Sequence, residues 1–298
     1  VSYPELPSHP DNEMAKTNDL LLSSPIPVTS GFGATLLNIG NILNKGFDFD
    51  IRTVNTTGVV KWNTALNISI NRNQVTNLAN NNADILFGGS LLRIGQPVGT
   101  FYGYIFDGIF QSDAEAASSA VLIGQEATSP NVPSIAKAGD RKYRDLNGDK
   151  VIDEKDRTII GSAQPDFTWG FNNNFTYKNF DCSIFFQGSQ GNKMANINSY
   201  DLLNFNGQGN VLKEGGINRW TPTNPSNQYP RALSDGSLDQ GIFSTAIVEN
   251  ASYVRLRNIT LAYNLPKKIL KAAKINNLKI YASATNVLTI TRLSLIHI

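Results

Sequence analysis

Segment 59–72 alternates between apolar and polar side chains over a longer stretch than most strands of soluble proteins. One parity is mainly apolar and the other amide-rich: Trp62, Thr64, Leu66, Ile68 and Ile70 against Asn63, Ala65, Asn67, Ser69 and Asn71. A strand of a soluble sheet usually has about five or six residues, whereas a tilted strand needs about 9 to 11 to cross a bilayer. Because lipid on one face and a watery interior on the other produce this alternation, the segment is predicted to be a transmembrane strand.

Five more segments show the same alternation, and two of them contain a residue of the opposite type. The segments are 46–54, 166–178, 180–188, 252–264 and 277–290. Asn173 interrupts the apolar parity of one segment, and Phe185 interrupts the polar parity of the next. Lys178 and Asn179 separate these two segments, and so short a connection predicts a tight antiparallel hairpin. The parity slips near Asn258, which predicts a β-bulge.

The connections between these segments come in two sizes that alternate along the chain. Short connections span 55–58, 178–179 and 265–276, and long connections span 74–164 and 188–252. In a transmembrane β-barrel, short turns lie on the periplasmic side and long loops lie outside the cell. We therefore expect an all-β fold, an antiparallel transmembrane β-barrel of which this chain forms the C-terminal strands, with long extracellular loops.

Composition argues against several other classes of protein. Only 17% of residues are charged and the formal net charge is +2, so nucleic acid is not an expected partner. The single cysteine, Cys182, excludes an internal disulfide and a multi-cysteine metal site. His9 and His297 lie near opposite ends, and no nucleophile-base pair, phosphate loop or zinc motif is present. We therefore expect no enzymatic activity. The chain also lacks the run of about 18 consecutive apolar residues that a membrane helix requires.

An acidic segment in the first long connection follows the ligand order of an EF-hand calcium loop. Positions 1, 3, 5, 7, 9 and 12 of a twelve-residue register are Asp145, Asn147, Asp149, Val151, Asp153 and Asp156. Calcium takes six to eight oxygen ligands, and these side chains with the Val151 carbonyl could supply them. Two departures are Lys150 in place of glycine and the short Asp156 in place of glutamate. The alternative is a turn whose carboxylates accept hydrogen bonds from nearby peptide N–H groups.

Two further groups of residues bear on how the chain meets a membrane. Aromatic residues near strand ends are expected to form interfacial girdles: Trp62, Trp169, Tyr177, Phe180 and Tyr263. Lysines cluster in the short connection 265–276 and are expected to form a solvated face on a short helix: Lys267, Lys268, Lys271 and Lys274.

With these segments in place, the chain resembles the SusC/RagA family of TonB-dependent outer-membrane transporters. Seven segments carry the resemblance: NIGNILNKGFDFDI (38–51), GTFYGYIFDGIFQ (99–111), DLNGDKVIDEKDRTIIG (145–161), PDFTWGFNNNFTYKNFDCSIFFQGSQGN (165–192), RWTPTNPSNQYPRA (219–232), YVRLRNITLAYNLP (253–266) and IYASATNVLTIT (280–291). The resemblance implies a 22-stranded barrel closed by an N-terminal plug in the lipid of the Gram-negative outer membrane. It also implies import of oligosaccharides or peptides, energy supplied through TonB, and a SusD-like surface lipoprotein as partner.

The same resemblance implies that the plug domain, the TonB-contacting segment and the early strands lie outside this chain. After Thr291 the chain reads RLSLIHI, where the family has a further loop and a last strand, so we expect a non-native tail at 292–298. Two other function classes stay open on the sequence alone. One is a passive outer-membrane porin, and the other is a soluble calcium-dependent recognition module.

Overall fold

The computed structural model describes residues 11–25, 34–78, 81–124, 135–203, 205, 210–232, 242–272 and 274–293. Numbered along the chain, the strands are β1 Asp11–Pro25, β2 Ala34–Thr57, β3 Val60–Leu78, β4 Ile85–Phe87, β5 Ser90–Leu92, β6 Thr100–Gly103, β7 Phe106–Ile109, β8 Val121–Leu122, β9 Arg141–Tyr143, β10 Val151–Ile152, β11 Thr158–Ser162, β12 Phe167–Tyr177, β13 Phe180–Gln190, β14 Lys193–Ala195, β15 Val248–Asn250, β16 Tyr253–Asn264 and β17 Lys279–Thr291. The helices are α1 Asp113–Ser118, α2 Ile197–Leu202, α3 Lys213–Asn218 and α4 Lys267–Ala272, with a 3-10 turn at Glu154–Asp156. None of the described helices has the length and apolar character needed to cross a membrane.

The long strands form one antiparallel sheet. Within the described residues the sheet has seven strands in the order β1-β2-β3-β12-β13-β16-β17, so neighbours in the sheet are also successive long strands of the chain. Tight turns join β2 to β3 and β12 to β13, a connection that includes α4 joins β16 to β17, and longer segments join β3 to β12 and β13 to β16. The expected all-β antiparallel fold is confirmed, and the sheet is open, with β1 and β17 at its edges.

The predicted strand segments lie within longer strands. Strand β2 begins at Ala34 rather than at residue 46, and β3 continues to Leu78 rather than ending at residue 72. The long connection placed at 74–164 therefore starts after Leu78, and the one placed at 188–252 starts after Gln190. Backbone pairing with the neighbouring strand continues where side chains no longer alternate. Predictions from periodicity therefore make the strands shorter than they are.

Strand β1 was not predicted, and it pairs with the first half of β2. Gly40 of β2 has a φ of +134°, next to a register shift between Asn41 and Ile42. A Cβ atom at Gly40 would overlap the carbonyl of Asn77 on β3, so only glycine fits this irregular part of the ladder. The expected tail at 292–298 lies outside the described residues except for Arg292 and Leu293.

The register gives the sheet two chemically different faces. One row of paired residues across the sheet is entirely apolar: Ile51, Leu66, Phe171, Phe186, Leu256 and Leu288. The adjacent row on the opposite face is mostly polar: Asp50, Asn67, Gly170, Gln187, Arg255 and Thr289. The two ends of the apolar row are exposed, Ile51 to 39% and Leu288 to 55%, and the four side chains between them are partly exposed. Such a face is suited to hydrocarbon rather than to water.

The buried cores of the described chain lie in the long connections. One cluster contains Tyr104, Leu122, Tyr143 and Ile152, a second contains Phe110, Ala116, Val121 and Ala136, and a third contains Ile160, Ile247 and Val248. Residues of the short strands β6 to β11 and β15, of α1 and of the segments beside them build these clusters, although the sequence predicted long loops there. Segments of two to five residues are too short to show a period, which explains why they were missed.

The two long connections fold against each other. Arg231 of the second connection donates from Nε to Asp140 Oδ1 of the first at 2.6 Å, and the Asp140 side chain is only 6% exposed. The Trp220 indole N–H donates to Gln111 Oε1 at 3.1 Å. A buried charge pair that bridges two segments costs about 3 to 5 kcal/mol when one partner is removed, so this contact holds the two connections together.

The bulge predicted near Asn258 is present one residue earlier. Phe185 pairs with Asn258 and Phe186 with Leu256, which leaves Arg257 of β16 without an opposite residue on β13. The neighbouring β17 carries its own irregularity, since its register jumps between Leu256 and Asn258 of β16. The bulged strand bends and twists more strongly at this point.

Candidate functional site

The polar face of the sheet carries a hydrogen-bonded network at its short-turn end. Asp181 accepts from Asn264 Nδ2 at 2.9 Å, from Thr176 Oγ1 at 3.0 Å and from Lys279 Nζ at 3.1 Å. These residues come from strands β12, β13, β16 and β17, so one carboxylate links four strands. Each donor satisfies a lone pair that would otherwise need water. The network fixes the register on the face that a barrel turns toward its interior.

Phe185, which breaks the polar pattern, covers a glycine on the neighbouring strand. A Cβ atom on Gly170 would stand 3.1 Å from Cε2 of Phe185. On the opposite face Trp169 lies over Gly188 in the same way, because a Cβ atom there would overlap the indole. Aromatic rings that cover glycines across a strand pair help to pin the register of a sheet.

Asn173, which breaks the apolar pattern, is hydrogen-bonded within the apolar face. Its Oδ1 accepts from Trp62 Nε1 at 3.2 Å, and Asn173 is only 8% exposed. The Trp62 ring stacks on Phe175 with centroids 5.7 Å apart and an interplanar angle of 13°. Because the bond pairs the amide oxygen with the indole N–H, this polar residue is tolerated on a face otherwise made for hydrocarbon.

The predicted girdle residues separate into two positions. Tyr177, Phe180 and Tyr263 lie in one row at the short-turn end of the apolar face. Trp62 lies two residues further along β3 at the same end, and only Trp169 lies near the opposite end of β12. Aromatic residues at both ends of an apolar band are the arrangement of interfacial belts in membrane barrels.

The acidic loop brings its predicted residues together as a set of turns. Asp145 Oδ1 accepts from the Gly148 N–H at 2.6 Å, and Oδ2 accepts from the Lys150 N–H at 2.8 Å. Asp156 is fully buried and accepts from the N–H groups of Leu146 and Asp153 at 2.8 and 2.9 Å. Both ends of the loop are therefore closed by a carboxylate that accepts two peptide N–H groups.

The middle of the loop follows the same pattern. Asn147 Oδ1 accepts from the Asp149 N–H at 2.8 Å, and Asp149 Oδ1 accepts from the Val151 N–H at 3.0 Å. Asp153 Oδ1 accepts from the Lys155 N–H at 2.8 Å, and the Lys155 ammonium lies 3.5 Å from the other carboxylate oxygen of Asp153. Lys150 has a φ of +67°, so the loop makes the left-handed turn without the glycine that calcium loops have there.

The electrostatics of the loop match this geometry. The peptide N–H of Lys150, followed by other backbone donors, lowers the pKa of Asp145 below the ordinary aspartate value. In the described ranges no group of three or more His, Cys, Asp or Glu side chains is placed to hold a metal ion. The arrangement is that of the Asx turns weighed above, and calcium binding at Asp145, Asn147, Asp149, Val151, Asp153 and Asp156 stays a prediction.

An aromatic cavity in the long connections was not predicted from the sequence. It has a volume of about 490 Å³ and is lined in part by Tyr102, Tyr104, Phe243 and Arg157. The Arg157 guanidinium lies 5.4 Å above the Tyr104 ring and donates from Nε to the Tyr104 hydroxyl at 3.1 Å. Tyr102 lies on β6, Tyr104 lies between β6 and β7, Arg157 lies just before β11, and Phe243 lies in the second connection. No single segment carries a recognisable signal, because the cavity exists only once the connections have folded together.

An uncovered apolar face, a polar opposite face and long connections on one side define the wall of a transmembrane β-barrel. No protein-family model matches the chain. TonB-dependent receptor P3 of Formosa agariphila is 35% identical over 288 residues, which is 93% of this chain and 27% of that protein. TonB-dependent receptor SusC of Bacteroides thetaiotaomicron is 28% identical over 85% of this chain and 24% of its own length.

Solved structures show the same fold. The RagAB peptide transporter superposes with a TM-score of 0.73 at 24% identity, over 94% of this chain and 29% of that one. The RagAB peptide importer in its open-open state gives a TM-score of 0.68 at 26% identity, over 94% of this chain and 28% of that one. The resemblance to the SusC/RagA type of TonB-dependent receptor is confirmed. The chain corresponds to a barrel segment that spans 24% to 30% of the curated relatives it matches.

Proposed function

We propose that this chain is the barrel wall and external loop region of an outer-membrane importer that takes up oligosaccharides or peptides with energy from TonB. The observation that carries the proposal is the register, which places an apolar row from Ile51 to Leu288 on one face and polar residues on the other. Lipid would contact the first face, and the cargo path would run along the second.

The names of the similar proteins indicate which general kind of function to propose. The curated proteins that match are named TonB-dependent receptors, and the solved structures are titled a peptide transporter or importer. Those names describe transport rather than catalysis, in agreement with the sequence, where no catalytic constellation was found. A SusD-like lipoprotein is proposed as partner on the external side, where the long connections form a folded body with the aromatic cavity described above.

Uptake by living cells tests the energy source. Cells that carry the full-length protein would be given fluorescently labelled oligosaccharides and peptides, with and without a functional TonB. We expect uptake of one of the two cargo classes to be lost when TonB is removed, because active import needs the coupled energy. Uptake that continues unchanged without TonB would instead establish a passive porin.

Extraction separates the membrane proposal from the soluble one. The full-length protein should be recovered from the membrane fraction only with detergent. A SusD-like partner should copurify with it in that detergent and be lost in strong denaturant. Recovery of the full-length protein in plain buffer would refute the barrel and favour a soluble calcium-dependent recognition module.

A further inference from the structure

One row of paired residues marks the edge of the apolar face at the short-turn end of the sheet. The register joins Val60 to Tyr177, Tyr177 to Phe180, Phe180 to Tyr263 and Tyr263 to Ile280. The rings of Phe180 and Tyr263 lie 4.7 Å apart by centroid, and Tyr177 is 44% exposed. Tyrosine at the end of an apolar band marks the level of lipid headgroups, so this row sets the membrane boundary.

The segment just beyond this row is strongly basic. Residues 265–278 join β16 to β17 and include α4, and they contain no Asp or Glu. None of their lysines forms an ion pair with another described residue, in contrast to Lys279, which binds Asp181 on the polar face. The unpaired lysines are Lys267, Lys268, Lys271 and Lys274. Lys178 in the neighbouring turn adds a further ammonium, 5.2 Å above the Tyr177 ring.

The same segment exposes apolar side chains among its lysines. Ile269 is 60% exposed, Ile275 is 44% exposed and Leu278 is 39% exposed. Leu270, by contrast, is only 3% exposed, so it fixes one side of α4 to the protein and leaves Ile269 directed outward. The Leu265 N–H donates to the Leu278 carbonyl at 3.0 Å and closes the segment at its base. A fixed short helix that mixes exposed lysine with exposed isoleucine resembles an interfacial anchor.

We propose that segment 265–278 binds the phosphate headgroups of anionic phospholipids in the leaflet at the short-turn side of the barrel. The lysine ammonium groups would contact the phosphates, while Ile269, Ile275 and Leu278 would enter the boundary between headgroups and acyl chains. Lipid is favoured over a protein partner because the segment continues directly from the aromatic row, where bilayer is already in contact with the wall. The proposal goes beyond import and rests on the part of the proposed function that places the sheet across a membrane.

A local probe in the full-length protein tests this site. A bimane fluorophore would be attached at Asn276→Cys after Cys182 and any cysteine elsewhere in the full-length protein had been replaced by serine, and the protein would be placed in phosphatidylcholine vesicles. Headgroup-labelled quencher lipids of the phosphatidylglycerol and phosphatidylcholine types would then be compared at low salt. One lysine near an anionic surface raises the affinity for that surface about fivefold. We therefore expect at least fivefold stronger quenching by phosphatidylglycerol, decreasing as salt screens the charges.

Matched variants assign the effect to these lysines. Replacing Lys267, Lys268, Lys271 and Lys274 together by glutamine should bring the two lipids to nearly equal quenching. The control replaces an equal number of exposed lysines in the long connections, Lys137, Lys150, Lys155 and Lys213, and should keep the preference. Heat-modifiable migration on gels would show that both variants form barrels.

Three results would overturn the proposal. Equal quenching by the two lipids in the unmodified protein would refute it, as would a preference that survives the glutamine variant. Quenching of the bimane by aqueous iodide but by neither lipid would show that the segment faces the periplasm, where a soluble partner would cover it. The assay does not involve cargo or TonB, so its failure leaves the import proposal untouched, and a failed import test leaves this one intact.

Discussion

Replacing Leu66 with arginine is expected to lower the free energy of unfolding by about 2 to 4 kcal/mol, the cost of arginine at the bilayer midplane on the lipid face of a barrel. Leu66 lies on β3 in the central apolar row, between Ile51 and Phe171. The boundary row contains Val60 on the same strand. At about 3.4 Å per residue and a tilt of about 40°, Leu66 lies about 15 Å from that row, close to the middle of an apolar band about 25 Å tall.

Two control variants separate facing from general damage to the strand. Asn67→Arg changes the adjacent residue, whose side chain lies on the polar face, and should cost little because arginine there stays in water. Val60→Arg stays on the apolar face but lies in the boundary row, where the cost falls to about 0 to 1 kcal/mol. Guanidinium unfolding of the full-length protein in lipid vesicles, followed by tryptophan fluorescence, measures all three. Equal destabilisation by Leu66→Arg and Asn67→Arg would refute the assignment of the two faces.

Four further outcomes are expected. Gly188→Val should destabilise the sheet by about 1 to 3 kcal/mol, because its side chain would overlap the Trp169 indole. Asp156→Ala should destabilise the acidic loop by about 1 to 3 kcal/mol, since two peptide N–H groups lose their acceptor, and hydrogen exchange of the loop would detect it. The depressed pKa of Asp145 stabilises the loop above the ordinary aspartate pKa of about 3.9. That stability is lost as the pH falls through the lower folded pKa. The protection of the loop amides, relative to an unstructured peptide at the same pH, should therefore stay constant from pH 8 to pH 5 and decrease only in stronger acid. Calcium should slow exchange in the loop and be retained less well by Asp149→Ala.

Specific results would contradict these outcomes, and for Asp156→Ala that result is unchanged hydrogen exchange of the loop. Gly58→Ala is the control for the sheet, because a Cβ atom at Gly58 meets nothing within 4 Å, and equal destabilisation would show that Trp169 does not matter. A loss of protection already at pH 6, relative to an unstructured peptide at that pH, would show that Asp145 does not stabilise the loop through its carboxylate. Unchanged exchange at millimolar calcium would leave the Asx turns as the whole explanation of the acidic segment.

The sheet could be predicted from the sequence where side chains alternate, and only there. The alternation from Trp62 to Asn71 predicted both the strand and the face to which each side chain points, because a half-buried strand repeats with period two. Residues 34–45 lack a regular alternation, so nothing in the sequence distinguished them from a loop. The polar Asn173 and the apolar Phe185 looked like defects in the pattern. Their roles depend on Trp62 and Gly170, which become neighbours only when the register is known.

The acidic loop shows a different limit. Aspartate and asparagine at alternate positions can coordinate calcium or accept peptide N–H groups, and the same spacing serves both purposes. Ligand order located the loop correctly but did not distinguish between these uses. The aromatic cavity around Arg157 and Tyr104 lay beyond prediction for a simpler reason, since its residues are distant in sequence and meet through tertiary packing.

At the bulge, β16 can lose one residue, Arg257, without reversing which of its side chains face lipid. Deleting any other single residue in the middle of β16 would reverse the facing of one half of the strand, sending side chains such as Leu261 into the pore. Deleting Arg257 would instead leave Leu256 and Ile259 on the same side, because the unpaired residue is the one removed. A homologue that has lost this arginine could therefore keep the facing of both halves of β16, while losing the local bend and the hydrogen bond from Arg257 to Asn286.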